Sequence, residues 1–164
     1  MKFELTILGS SGAMPFKDRY MTAHVLNVRE QLFLIDCGEG TQMRMSRYRV
    51  KRGKIDHIFI SHLHGDHVFG LFGLLTSFSL NGRSQQLSIF GPSGLKEMIA
   101  TVMEHSQSHL TYPLDIHVTN PDLMRIQAGE QRRSRRTTAA RVVELPKPNT
   151  TRGQRIEVRR WNFA

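Results

Sequence analysis

The sequence predicts an α/β fold, on three observations. Short apolar-rich stretches of strand character alternate with helical stretches along residues 1–129. Clusters of Gly, Pro and Ser punctuate them. One strand runs straight into His62-Leu63-His64-Gly65-Asp66-His67, which crowds metal-binding side chains at a strand-to-helix junction.

In chain order, FELTIL (3–8) is a first strand that stops at Gly9-Ser10-Ser11-Gly12. HVLNV (24–28) and QLFLID (31–36) flank Arg29-Glu30, which predicts a hairpin. After Cys37-Gly38-Glu39-Gly40, Thr41 is the expected cap of a helix through TQMRMSRYRV. KIDHIFIS (54–61) returns to strand character, with Ile55, Ile58, Phe59 and Ile60 as candidate core. Residues 66–80 read as a helix that Gly70 and Gly73 weaken, unless small residues there serve close packing. QLSIF (86–90) is a strand stopped by Gly91-Pro92. Ser93 is the expected cap of LKEMIATVMEH, in which Leu95, Met98, Ile99 and Val102 repeat at helical spacing. LDIHV (114–118) is the last strand of this series.

A chain of 164 residues, 39% of them hydrophobic, suffices for one domain with a core. No apolar run approaches the length of a membrane span, and MKFELTILGS reads as a strand rather than a signal peptide. The single cysteine, Cys37, excludes an internal disulfide and a Cys-rich zinc site, and fits a reducing, cytoplasmic setting. Any metal must therefore be held by imidazole and carboxylate. The net charge of +9 is uneven: residues 1–129 carry 13 Lys and Arg against 11 Asp and Glu, whereas 130–164 carry 10 against 3. From Gln131 the sequence is Arg-rich and lacks periodicity apart from RVVEL and RIEVR. Residues 130–164 are thus expected to be an irregular, solvated tail, an RNA-contacting arm, or a segment not native to the fold.

His62 and His64 stand two apart at a strand exit, so extended backbone points them to one side. Gly65 permits the turn, and Asp66 and His67 can then swing back toward the same centre. A lone histidine is usually a surface or hydrogen-bonded group. H-x-H-x-D-H after a strand has the composition of a catalytic zinc site instead. His24, His57, His105, His109 and His117 read as ordinary histidines, although His105 and His109 stand four apart on the expected helix and a metal would suit that spacing.

HLHGDH with its preceding strand resembles the metal-binding motif of the metallo-β-lactamase fold. LGSSGAMP (8–15) and IDCGEGTQ (35–42) are similar to the opening loops of ribonuclease Z, the endonuclease family that trims precursor-tRNA 3′ trailers. Pro15-Phe16-Lys17-Asp18-Arg19 resembles that family's P-x-K-x-R loop, with Tyr20 where the family usually has Asn. The resemblance covers roughly residues 1–120. It implies an αββα architecture of which this chain holds the first half. It also implies two zinc ions, one on His62 and His64 and one on Asp66 and His67, with Asp66 placed to take a proton from the attacking water. Asp36 would organise the metal loop, and Lys17 and Arg19 would contact the RNA backbone. Precursor tRNA is the implied substrate and a cytoplasmic homodimer the implied state, with neither membrane nor DNA as a partner. Manganese or iron would also suit His and Asp ligands.

The pattern breaks downstream. The family takes further ligands from later histidines and an aspartate, yet no histidine follows His117 and no aspartate follows Asp122. An incomplete ligand set and weak metal binding are therefore expected. Two other readings stay open: another hydrolase of the same fold, against which the P-x-K-x-R loop argues, and a non-catalytic RNA-binding or dimerising fragment that uses the basic tail.

Overall fold

The computed structural model of the chain describes residues 3–17, 19–119 and 155–157. The elements are β1 (Phe3–Gly9), β2 (Ala23–Val28), β3 (Gln31–Ile35), α1 (Thr41–Arg47), β4 (Ile55–Phe59), α2 (Gly65–Leu80), β5 (Leu87–Gly91), α3 (Leu95–His105), β6 (Leu114–Val118) and β7 (Arg155–Glu157). They form a sheet in the order β6-β5-β4-β3-β2-β1-β7. β1 to β3 pair antiparallel, and β3 to β6 pair parallel. The parallel strands step in one direction through crossovers that hold α1, α2 and α3. Right-handed crossovers taken in one direction put all three helices on the same face.

That face is the core. The row Val25, Leu34, Ile58 and Ile89 runs across four strands and is buried against Met45 of α1, Val68, Leu71 and Leu75 of α2, and Leu95 and Ile99 of α3. Each such side chain contributes about 1.5–3 kcal/mol by leaving water. The opposite face carries a run of rings. Phe59 stacks on Phe90 at 4.9 Å between centroids, and Phe90 on His117 at 4.6 Å. His57 lies between Phe33 and Phe90, at 5.5 and 6.2 Å. Among the described residues no helix covers this face, and the helix-covered sheet matches one half of the αββα layering that the family resemblance implies.

Phe59 is the one departure from the expected core of β4. Its neighbours Ile58 and Ile60 are buried, and the period of two turns Phe59 onto the aromatic face, where it is 38% exposed. The hairpin falls at Arg29-Glu30, both with positive φ (52° and 68°), as a two-residue turn between twisted strands requires. Two expected caps do not form. Gly40 and Gly94, at φ of 80° and 92°, occupy the capping positions of α1 and α3 without a side-chain bond. Thr41 is instead the first residue of α1 and donates its hydroxyl to the Gly38 carbonyl at 2.6 Å. α1 stops at Arg47, short of the expected Val50, and Arg49 has a φ of 53°. α3 ends at His105, so His109 lies beyond it and the two histidines are not a helical i, i+4 pair.

Gly70 explains itself by contact. A Cβ there would lie 2.1 Å from the Gly38 carbonyl oxygen, and its N–H donates to the Cys37 carbonyl at 2.9 Å. Gly38 is equally close, since its Cβ would meet the Asp66 carbonyl oxygen at 2.2 Å. This backbone-on-backbone approach seats the first turns of α2 on the β3–α1 loop. RIEVR supplies β7, which pairs with β1, and the expected boundary at residue 129 lies outside the described residues.

Candidate active site

Ligands in parallel α/β sheets collect at the carboxyl ends of the strands. Here β3 and β4 end side by side. Asp36 follows β3, and Ser61 leads from β4 into the histidine cluster. Asp36 takes a left-handed φ of 56°, a conformation that Asp tolerates better than most residues, and this ends the strand. Its N–H donates to the Phe59 carbonyl at 2.8 Å, which ties the two strand ends together.

Asp36 is buried, 5% exposed, and its carboxylate makes three polar contacts. Oδ1 accepts the Ser61 N–H at 2.8 Å. Oδ2 accepts the Ser61 hydroxyl at 2.9 Å and contacts His67 Nδ1 at 2.9 Å. Backbone bonds fix His67 further: its N–H donates to the His64 carbonyl at 2.9 Å, and its carbonyl accepts the Cys37 N–H at 2.8 Å. The three rings of the motif gather as their spacing predicts, with His62 at 4.7 Å from His64 and 3.9 Å from His67 between centroids.

Asp66 opens the first turn of α2, where the helix dipole favours negative charge. Its Oδ2 accepts the Ala13 N–H at 3.0 Å from a loop 53 residues away. That amide is the main reason the Asp66 carboxyl is held below its ordinary range. The smaller influences of burial, which opposes the shift, and of His67 and His62, which add to it, follow. The sign fixes the pH window. The loop contact is fully present above the ordinary carboxylate range and is lost as pH falls through the lowered value.

The loop itself is clamped from behind. Arg44 lies over the rings of Tyr20 and Tyr48, at 4.9 and 4.7 Å, and donates to the Leu8 carbonyl at 2.9 Å. Lys17 and Arg19 sit on the exposed turn further along the loop, closed by the Arg19 N–H to the Phe16 carbonyl at 2.9 Å. Among the described residues no contact joins either side chain to the cluster. A cavity of about 320 Å³ beside this loop is lined by Tyr20, Thr41, Met43 and Gly70, and by none of the five cluster side chains.

Imidazole and carboxylate are the donor types of a zinc site. Donors about 2.0–2.1 Å from a tetrahedral ion lie about 3.4 Å apart. His67 Nε2 and Asp66 Oδ2 are 3.4 Å apart, too long for a good hydrogen bond and right for two ligands of one ion. The fit stops at that pair. Among the described residues, no three His, Cys, Asp or Glu side chains are arranged to hold one metal ion. Of the other histidines, His24 is near enough to Asp36 and His67 to feel the charges of both. His24 has its pKa lowered by burial, and His117 pairs with Asp115 at 3.1 Å.

Three contributors were not named from sequence: Ser61, the Ala13 amide and the Tyr20–Arg44–Tyr48 stack. Ser61 borders the motif but has no spacing signal of its own. The Ala13 contact is backbone-mediated and long-range, and leaves no trace in residue type.

The family model described as Anti-Pycsar protein Apyc1 matches residues 3–118. Ribonuclease Z of Bacteroides thetaiotaomicron is 49% identical over 116 residues, which make up 71% of this chain and 37% of that protein. The crystal structure of human tRNase Z, short form, aligns with a TM-score of 0.67 at 42% identity, over 73% of this chain and 47% of that one. A metallo-β-lactamase-fold protein of Bacillus subtilis aligns with a TM-score of 0.58 at 21% identity, over 73% and 46%, a likeness of fold alone. Fold and cluster together define a chain of the metallo-β-lactamase fold. It belongs to the family described as Anti-Pycsar protein Apyc1, and over the same residues it is similar to ribonuclease Z proteins. It spans less than half the length of these relatives.

Proposed function

We propose that the chain carries the first part of the active site of a metal-dependent endoribonuclease that removes 3′ trailers from precursor tRNA. The observation that carries this reading is the cluster at the ends of β3 and β4, in which His67 rests on the buried Asp36, His62 packs against His64 and His67, and Asp66 Oδ2 lies 3.4 Å from His67 Nε2. Asp66 and His67 would hold one zinc ion, and His62 and His64 would contribute to a second. Bound there, zinc supplies the Lewis acidity that activates water and offsets charge on the phosphate. The chain's own residues do the rest. Asp36 keeps His67 in place. Asp66, kept ionised by the Ala13 amide, is placed to accept a proton. Lys17 and Arg19, on an exposed loop anchored beside Asp66, offer positive charge to the RNA backbone.

The remaining ligands come from outside these residues, and a cytoplasmic homodimer is the setting this reading implies. Among the described residues no helix is long and apolar enough to cross a membrane. The test is incubation of the purified full chain with zinc and a 3′-extended precursor tRNA, beside His64→Ala. Slow cleavage at the trailer junction that disappears in the variant is expected. A chain that is folded by circular dichroism and cleaves nothing overturns the reading for this polypeptide.

A further inference from the structure

We propose that Ser61 is a positioning residue that fixes the tautomer of His62, and that Ser61 and Asp36 together make both His62 and His67 present Nε2 as a bare lone pair. The inference rests on the site reading above, but its premises are only hydrogen-bond distances.

The protons can be counted. A carboxylate accepts and never donates. His67 Nδ1, at 2.9 Å from Asp36 Oδ2, must therefore carry the proton of that contact. The lone pair of the neutral His67 ring is then on Nε2, facing Asp66 Oδ2 at 3.4 Å. Ser61 Oγ has one proton and three neighbours: Asp36 Oδ2 at 2.9 Å, His62 Nδ1 at 3.0 Å and His67 Nδ1 at 3.3 Å. If that proton went to His62, the Oγ–Oδ2 approach would set two oxygen lone pairs together at 2.9 Å. A bond to a charged acceptor is also about twice as strong as a neutral one. The proton therefore goes to Asp36.

Ser61 Oγ then has only lone pairs left for His62, and His62 Nδ1 must be the donor. The His67 proton is already committed to Asp36 at the shorter distance. One buried carboxylate thus sets two rings, the first directly and the second through a hydroxyl. The Ser61 backbone N–H, which also binds Asp36, is indifferent to the side chain, so the hydroxyl can be removed with the Ser61–Asp36 backbone tie kept. Carbon next to Nδ1 would leave His62 without the acceptor that selects its tautomer.

The experiment is long-range proton–nitrogen NMR of the histidine rings in the full chain, without metal or RNA, at a pH where the rings are neutral. Wild type, Ser61→Ala and Ser61→Thr are compared. In wild type both His62 and His67 are expected with a protonated, pyrrole-type Nδ1 and a pyridine-type Nε2. Ser61→Ala should shift His62 toward the reverse pattern and leave His67 unchanged, and Ser61→Thr should restore His62. A pyridine-type Nδ1 on His62 in wild type overturns the proposal, whatever the variants do. So does a His62 pattern that Ser61→Ala leaves untouched. Failure of tRNA cleavage with these ring patterns intact would sink the nuclease reading alone.

Discussion

His67 and His64 stand three positions apart in one motif and are held in opposite ways. His67 is anchored at its ring by Asp36, at its N–H by the His64 carbonyl and at its carbonyl by Cys37, and its side chain is 17% exposed. The His64 ring is exposed and, among the described residues, has no hydrogen-bond partner; it meets only the edge of His62. The difference teaches how the site is built. The His67–Asp66 side is made by the fold itself, through the docking of α2 on the β3–α1 loop. The His64 side is a set of side chains in the right neighbourhood that something else must fix.

The sharpest way to break the built side is to push α2 off its seat. In Gly70→Ala the new Cβ would lie 2.1 Å from the Gly38 carbonyl oxygen, and backbone on both sides has no room to yield. A loss of about 3 kcal/mol is expected from such overpacking, read from the urea midpoint. Gly73→Ala, one turn along, is the control. Its Cβ would meet only the end of the Gln42 side chain, at 3.0 Å, so the helix-forming gain of about 1 kcal/mol should show as neutral or improved stability. Equal losses in the two variants would mean that the docking is not what α2 depends on.

A smaller effect follows from removing the charge at the hub. Asp36→Asn replaces one acceptor oxygen by an NH2 that faces either the Ser61 N–H or the Ser61 hydroxyl and His67 Nδ1. Losing charge-assisted bonds there should cost about 1.5–3 kcal/mol in the same unfolding measurement. A variant as stable as wild type would show that the carboxylate organises nothing.

Most of the fold was legible because the sequence repeats in the right periods. Every strand and helix expected over residues 3–118 is present, and boundaries move by a residue or two except in α1. The misreadings have physical causes. Phe59 looked like core by composition, but strict alternation sends it to the aromatic face between Phe33 and Phe90. Thr41 and Ser93 looked like caps by type, but a left-handed glycine stands between loop and helix in each case. His109 looked helical by spacing, but α3 ends four residues earlier. In the site, the four motif residues were legible because they are close in sequence. Ser61 and Ala13 were not, since their roles depend on strands β3 and β4 ending together and on a loop crossing to Asp66.

The most direct test of the central claim, that these residues form a metal-binding centre of which only one side is prebuilt, is calorimetric titration of zinc into the full chain, His64→Ala and His67→Ala. The account predicts binding to wild type that is weaker than that of structural zinc domains, a partial loss in His64→Ala and abolition in His67→Ala. Zinc binding that survives His67→Ala unchanged, or no binding at all by the folded wild-type chain, would contradict it.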